Sequence, residues 1–256
     1  MADQKSSRGL AGALVKLWRG GDYELTVTGR TEITPNYLRL HFIGKELLDE
    51  RPVHPTMWVR GWFPDGKADQ GSTKPVKSHQ RGYTLVNVDA EAGTLDIDFA
   101  IHEGLATAWA TNAVPGDTLE VTVLGSDFAL PEPAPAGYVI VGDAASLPAI
   151  NSLLGAIARA GEATGGGTDT PAKVFLESSH HDDRELPVAA ADVTWVDRKN
   201  AGEALVEAVG SSAFDAADHF GWVACDNRTT RAVAKILRED YKIPRKSMKA
   251  QAYWVA

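Results

Sequence analysis

Two short segments of this chain carry side chains suited to one kind of chemistry. Arg81-Gly82-Tyr83-Thr84 closes an apolar segment, and further along comes His102-Glu103-Gly104-Leu105-Ala106-Thr107-Ala108-Trp109-Ala110. A planar ring needs an aromatic wall, its carbonyl and nitrogen atoms need a short hydroxyl, and a pyrophosphate needs an arginine and free backbone amides at a helix start. Tyr83, Thr84, Arg81 and the turn at Gly104, Leu105, Ala106 and Thr107 provide these groups, the set that a flavin dinucleotide calls for.

The whole chain limits what else such a site can be. At 256 residues and 44% hydrophobic it can bury a sizeable core, and its length suits two domains of ordinary size. A net charge of -8 with scattered Lys and Arg leaves no basic excess to displace counterions, so no nucleic-acid partner is expected. The single cysteine, Cys225, excludes an intrachain disulfide and a Cys-rich metal centre, and it points to a reducing cytoplasm. No run approaches the length of a membrane helix, so a soluble protein without stable membrane insertion is expected. Residues 1–21 read as a leader. Leu10, Leu14 and Leu17 share a helical face there, either resting on a membrane surface or partner or packed and frayed.

Alternation and strand-type residues mark strands at 23–28, 37–43, 57–63, 83–88, 94–101 and 118–124, with breakers such as Thr34-Pro35-Asn36 and Pro115-Gly116-Asp117 between them. That rhythm predicts an antiparallel barrel of six strands over 22–130, interrupted by one helix over 105–112. A proline-rich stretch, 131–137, is stiff and extended and reads as a linker. Residues 138–256 then alternate strand and helix: strands at 138–141, 173–177, 193–196 and 221–224, helices at 146–160, 203–209 and 227–241. This pattern predicts a parallel sheet with covering helices. The Gly-rich insert 164–170 reads as a surface loop without chemistry.

A small barrel followed by an α/β domain is the layout of a ferredoxin-reductase-type flavin enzyme. The chain resembles the siderophore-interacting proteins, the ferric-siderophore reductases related to the vibriobactin-utilisation protein. The resembling residues are Arg81-Gly82-Tyr83-Thr84, the His102 to Ala110 segment with Pro115-Gly116-Asp117, Val141-Gly142-Asp143-Ala144-Ala145-Ser146-Leu147-Pro148-Ala149-Ile150, Trp222-Val223-Ala224, and Tyr253-Trp254. The resemblance implies that Tyr83 and Thr84 line the ring of FAD and that Arg81 meets its phosphates or ring edge. It also implies that Gly104, Leu105, Ala106 and Thr107 receive the pyrophosphate. His102 either contacts flavin phosphate or ribose or is a strand-end histidine satisfied by backbone. Trp109 packs on the adenine or only on the barrel.

In the second domain the resemblance implies that a nicotinamide donor, NADH or NADPH, approaches the flavin beside Asp143, where ligands of such sheets bind. No GxGxxG is present. Ala144 replaces the acid that the family commonly has after Gly-Asp, and Ala224-Cys225-Asp226 replaces its usual glycine and glutamate. Cys225 precedes a helix start that would lower its pKa, which makes it the one weak catalytic candidate against the reading of an inert buried thiol. Arg228 and Arg231 either recognise a 2'-phosphate or are solvated. Trp254, with Tyr253, either shields FAD or closes the last strand, and the chain stops soon after, where family members continue.

No acid-base or nucleophilic apparatus is required, because the cofactor carries the difficult step. Fe(III) binds siderophores far more tightly than Fe(II), so reduction releases the metal. Lys74, Lys77, His79 and Arg60 are the candidate cations for an anionic ferric chelate, each of them otherwise a solvated charge. His180, His181, Asp182 and Asp183 are metal-ligand types, but contiguous residues seldom share one ion, and no bound metal is assigned. Three readings stand: a monomeric FAD-dependent ferric-siderophore reductase using NAD(P)H or another electron donor such as ferredoxin; a general flavin or ferredoxin-type reductase that passes electrons to a protein partner; and a non-enzymatic module that binds siderophore without turnover or has lost its flavin.

Overall fold

A computed structural model describes residues 21–65, 78–163, 170–190 and 192–255. The chain divides into two compact units, Met1–Asp127 and Phe128–Ala256.

The first unit is a closed antiparallel barrel with strand order β1-β2-β5-β4-β3-β6. Its strands are β1 (Gly21–Thr34), β2 (Tyr37–Ile43), β3 (Trp58–Pro64), β4 (Ser78–Asp89), β5 (Thr94–Ala100) and β6 (Thr118–Val123). Period-two alternation drives closure, as in β2, where Leu38, Leu40 and Phe42 face inward while Arg39 and His41 face out. On the outer wall Arg39 makes two bonds to Asp98, at 2.6 and 2.8 Å. Helix α2 (Leu105–Asn112) covers the barrel interior through Ala106 and Ala110, and the Trp109 ring meets Phe63 edge-on at 5.6 Å.

Three features of this unit escaped the alternation argument. β1 continues to Thr34 because a register shift between Val27 and Gly29 breaks its alternation without ending its pairing. β4 begins at Ser78, so Arg81 and Gly82 lie inside a strand rather than at its start; the polar run before Tyr83 pairs with the end of β3. A further helix, α1 (Lys45–Glu50), is too short to show a 3.6-residue period and buries only Leu47 and Leu48.

The second unit is a five-stranded parallel sheet in the order β11-β10-β7-β8-β9. Its strands are β7 (Tyr138–Asp143), β8 (Ala172–Ser178), β9 (Asp192–Asp197), β10 (Phe220–Ala224) and β11 (Met248–Ala250). Every residue of β7 and β10 is buried, as expected when helices cover both faces. The helices are α3 (Leu147–Ala163), α4 (Glu203–Ser211) and α5 (Asn227–Glu239). The chain enters at β7, moves outward through β8 and β9, then crosses to β10 and β11 on the other side, so strand order reverses between β7 and β10. Among the described residues no helix is long and apolar enough to cross a membrane.

Candidate functional site

In the barrel, strand alternation places Arg81 and Tyr83 on one face of β4 and Thr84 on the other, opposite Gly61, Val59 and Trp58 of β3 respectively. Arg81 is exposed, its guanidinium donating to the Gln80 carbonyl at 2.8 Å. The Tyr83 ring is half-buried, 4.5 Å from Phe99 and 5.8 Å from Phe63, and burial holds its phenol well above the ordinary range. Thr84 is buried. Phe63 therefore joins Tyr83 on one side to Trp109 on the other, linking β4 to helix α2 through a continuous aromatic contact.

Helix α2 opens at Gly104 with no side chain capping its first turn, so its leading amides are left for another acceptor. Thr107, in that turn, is 5% exposed, and its hydroxyl oxygen is buried without a hydrogen-bond partner. Such an orphaned hydroxyl is expensive unless something docks against it. Together with uncapped amides it fits the pyrophosphate of a flavin dinucleotide. His102 is exposed, its Nδ1 lying 2.8 Å from the Glu103 carbonyl oxygen. Of the candidate chelate-binding cations, Arg60 lies over the Trp58 ring at 5.0 Å with Nη1 3.3 Å from Gln80 Oε1, and His79 Nε2 is 3.0 Å from Asp65 Oδ2. Lys74 and Lys77 lie outside the described residues.

The second unit concentrates charge at the carboxyl ends of its strands. Asp143, last in β7, is paired in register with Glu177 of β8. Asp143 Oδ2 accepts the Trp254 indole N–H at 2.8 Å, and Oδ1 accepts the Ser146 amide at 2.9 Å. Arg198, just beyond β9, pairs with Glu177, reaches Asp226 Oδ2 at 3.3 Å and lies over the Trp254 ring at 4.9 Å. Burial raises the pKa of Asp143 and of Glu177, against the pull of their hydrogen bonds and of Arg198. For Asp226 burial acts in the same sense but is outweighed by the Thr229 and Arg228 amides, the Thr229 hydroxyl and Arg198, which leave it below the usual range.

Cys225 lies directly before Asp226, just past the end of β10. The expectation that the α5 start would lower the thiol pKa is not met: Asp226 itself caps that helix, taking the Arg228 and Thr229 amides at 2.8 and 3.0 Å. Cys225 is fully buried, and burial, aided by the nearby charges of Asp143, Glu177 and Asp226, drives its pKa far up. Tyr253 and Trp254 run beside β10, with the Tyr253 amide on the Cys225 carbonyl at 2.9 Å and the Asn227 amide on the Trp254 carbonyl at 3.1 Å. Asp183 of the His180 to Asp183 run accepts the Ser179 and His180 amides at 2.7 and 2.9 Å, a turn-closing role.

Gly142 permits the tight exit from β7. A Cβ there would stand 2.4 Å from Ser146 Oγ and 2.5 Å from Ile150 Cδ1. Gly142→Ala is therefore expected to cost about 1–3 kcal/mol of stability through overpacking. Urea denaturation measures it, and an unchanged midpoint would show that the turn relaxes freely.

Glu177 and Arg198 are the members of this cluster that sequence reasoning missed. Their signal was present as charges following apolar strand residues, Glu177 after Val174-Phe175-Leu176 and the pair Asp197-Arg198 after Trp195-Val196.

Comparison with known proteins agrees in both units. The family model for the siderophore-interacting FAD-binding domain matches residues 26–125, and that for siderophore-interacting protein matches residues 135–256. The mycobactin import ATP-binding/permease protein IrtA of Mycolicibacterium smegmatis is 34% identical over 254 residues, 97% of this chain and 27% of that protein. The chain thus spans about a quarter of the length of that relative. The ferric vibriobactin reductase ViuB of Vibrio cholerae is 26% identical over 246 residues, covering 87% of this chain and 85% of ViuB. A siderophore utilization protein from T. fusca shares the fold, with a TM-score of 0.75 at 24% identity over 92% of this chain and 93% of that one.

Proposed function

We propose that this chain, which belongs to the siderophore-interacting protein family, is a cytoplasmic FAD-dependent reductase that takes electrons from NAD(P)H and delivers them to a ferric siderophore. The observation that carries this reading is the buried, unpartnered hydroxyl of Thr107 in the uncapped first turn of α2, tied through Trp109 and Phe63 to Tyr83. When bound, the flavin supplies the exchange between a two-electron donor and a one-electron acceptor, which no side chain of this chain supplies. One NADH or NADPH gives up a hydride and becomes the oxidised nucleotide. Two Fe(III) chelates become Fe(II), and one proton is released.

The residues divide the remaining work. Tyr83 and Thr84 border the ring, Arg81 neutralises phosphate charge, and the amides of Leu105, Ala106 and Thr107 take the pyrophosphate, with His102 at its edge. The second unit receives the nicotinamide donor at the carboxyl ends of its strands, beside Asp143 and Trp254. The chelate is anionic, so Arg60, His79, Lys74 and Lys77 attract it rather than react with it. Domain limits of 22–130 and 138–256, joined by 131–137, and a monomeric state belong to the same proposal.

Thr107→Val tests the cofactor half. Valine keeps the shape and removes a hydroxyl that has no partner in the protein alone, so apoprotein stability is expected to hold or rise. Flavin affinity is expected to fall about fivefold to tenfold with the lost hydrogen bond. Desalting after incubation with FAD, followed by the visible spectrum, reads the binding. Undiminished flavin retention would remove Thr107 from the site, and a wild-type protein that retains no flavin would remove the reductase reading.

A further inference from the structure

β11 lies at the edge of the second unit's sheet, paired on one side with β10. The chain keeps its course past Ala250: the Gln251 amide donates to the Val223 carbonyl at 3.0 Å and the Tyr253 amide to the Cys225 carbonyl at 2.9 Å. Backbone groups along a strand turn to alternate sides, so those of Ala250 and Ala252 point away from β10. Among the described residues nothing pairs with them. This outer edge opens on a groove of about 380 Å³, with Ala250 and Ala252 on one side and Arg231, Ala234 and Arg238 of α5 on the other. The three alanines are small enough to leave the space between helix and edge open.

The groove is positive. Residues 228–249 carry eight Lys and Arg against two acids, in a chain whose net charge is -8. Arg231 and Arg238 stand two helical turns apart, about 10 Å along α5. Both are exposed, and neither has an ion-pair or hydrogen-bond partner among the described residues. Arg228, the other arginine considered for a 2'-phosphate, is exposed in the first turn of α5 and lies outside the groove. Asn227 also lines the groove, and its Oδ1 is buried with no hydrogen-bond partner. A buried acceptor without a donor is unfavourable, and an incoming N–H relieves it.

We propose that this edge docks an extended acidic segment of a partner protein, which pairs with the outward backbone of Ala250 and Ala252 and sets its carboxylates against Arg231 and Arg238. A strand added to a free sheet edge takes its affinity from main-chain bonds and its specificity from the side chains along the groove. Ala250 and Ala252 are two residues apart and present their side chains to one face, as do alternate residues of a strand laid beside them. Acids at alternate positions of the incoming strand therefore meet α5. Charge commonly guards a free edge against further copies of the same sheet. Here the guarding arginines repel a second basic edge and admit an acidic strand. A lipid headgroup would use the arginines and leave the backbone edge unpaired. The proposal goes beyond the reductase reading and does not depend on it.

Fluorescence anisotropy of a labelled peptide of alternating Glu and Thr, titrated with the full chain, tests this. Saturable binding is expected at low salt, weakening as salt rises. The double variant Arg231→Gln/Arg238→Gln is expected to weaken it at least about fivefold, through the loss of two ion pairs. Ala252→Pro removes an outward amide and no charge, at an edge position where proline is tolerated. It is expected to weaken binding about threefold to tenfold, the worth of one hydrogen bond. Lys246→Gln removes an exposed cation outside the groove and is expected to change affinity by less than about twofold. All the replaced side chains are exposed, so thermal unfolding of each variant is expected to match wild type. Should Ala252→Pro fail to fold, the contrast between the arginine pair and Lys246→Gln decides. No saturable binding, full affinity in Ala252→Pro, or an equal loss in Lys246→Gln would overturn the proposal. Displacement of the peptide by NADP+ would give the groove to a nucleotide, and binding of phosphatidylglycerol vesicles in place of the peptide would give it to a lipid surface; either result overturns the proposal as well.

Discussion

Arg198→Met is expected to lower the unfolding free energy by about 3–5 kcal/mol at neutral pH, the scale for removing one partner of a buried ion pair. Arg198 is the cation paired with Glu177 and Asp226, which are 1% and 0% exposed. Methionine keeps an apolar stem against the Trp254 ring, so the loss is mainly of charge. Its pH dependence has a definite sign. Burial already raises the Glu177 pKa in the folded protein, and without the guanidinium it rises further. An acid with a raised folded pKa is penalised while charged, so the deficit is complete at neutral pH. The Glu177 share shrinks as pH falls through that raised value, whereas the Asp226 share persists to lower pH, because Asp226 is held below the usual carboxyl range in the folded protein. Urea denaturation at two pH values checks both parts, and a deficit under about 1 kcal/mol or one that is the same at both values would contradict the account.

Arg81→Ala is expected to leave stability within about 0.5 kcal/mol of wild type while weakening flavin binding roughly tenfold to a hundredfold. The asymmetry follows from position. Arg81 is exposed, and its guanidinium donates to the carbonyl of its own neighbour Gln80, so the fold has little to lose. A charge-assisted bond to phosphate is worth about 1.5–3 kcal/mol, which sets the loss in affinity. The remaining wild-type affinity should also depend on salt more steeply than that of the variant. Flavin titration at two salt concentrations, with thermal unfolding of the apoprotein, separates the outcomes. Wild-type affinity in Arg81→Ala would take this residue out of the cofactor site.

The barrel was legible because each of its strands turns one apolar row inward. The run from Tyr37 to Ile43 alternates so cleanly that expectation and strand coincide. The α/β unit was legible for a different reason: β7 and β10 are buried on both faces and therefore read as short continuous apolar runs. Where the fold was missed, a local irregularity had erased the period, as at the β1 register shift beyond Val27. Elsewhere the element was too short to have a period, as in Lys45–Glu50 and Met248–Ala250.

The site divides in the same way. The segment proposed for the flavin stands out in sequence because Arg81, Tyr83 and Thr84 are neighbours there and the helix start follows within the same unit. The cluster of Asp143, Glu177, Arg198 and Asp226 could not. Its members lie in separate strands and loops, and only the parallel register of β7, β8 and β9 with the crossover to β10 assembles them. Sequence singled out Asp143 and Trp254 but not the hydrogen bond between them, and it offered for Cys225 an activation that burial of the thiol opposes.

The reaction proposed for this chain moves electrons from a nicotinamide donor to chelated iron. Its most direct measurement is the anaerobic yield of Fe(II), captured by a ferrous-specific chelator, when the FAD-loaded protein receives a limiting amount of NADH and an excess of ferric catecholate. The account predicts about two Fe(II) for each NADH consumed, since a hydride carries two electrons and each Fe(III) accepts one. Flavin that NADH reduces but that leaves the ferric chelate untouched would contradict the claim.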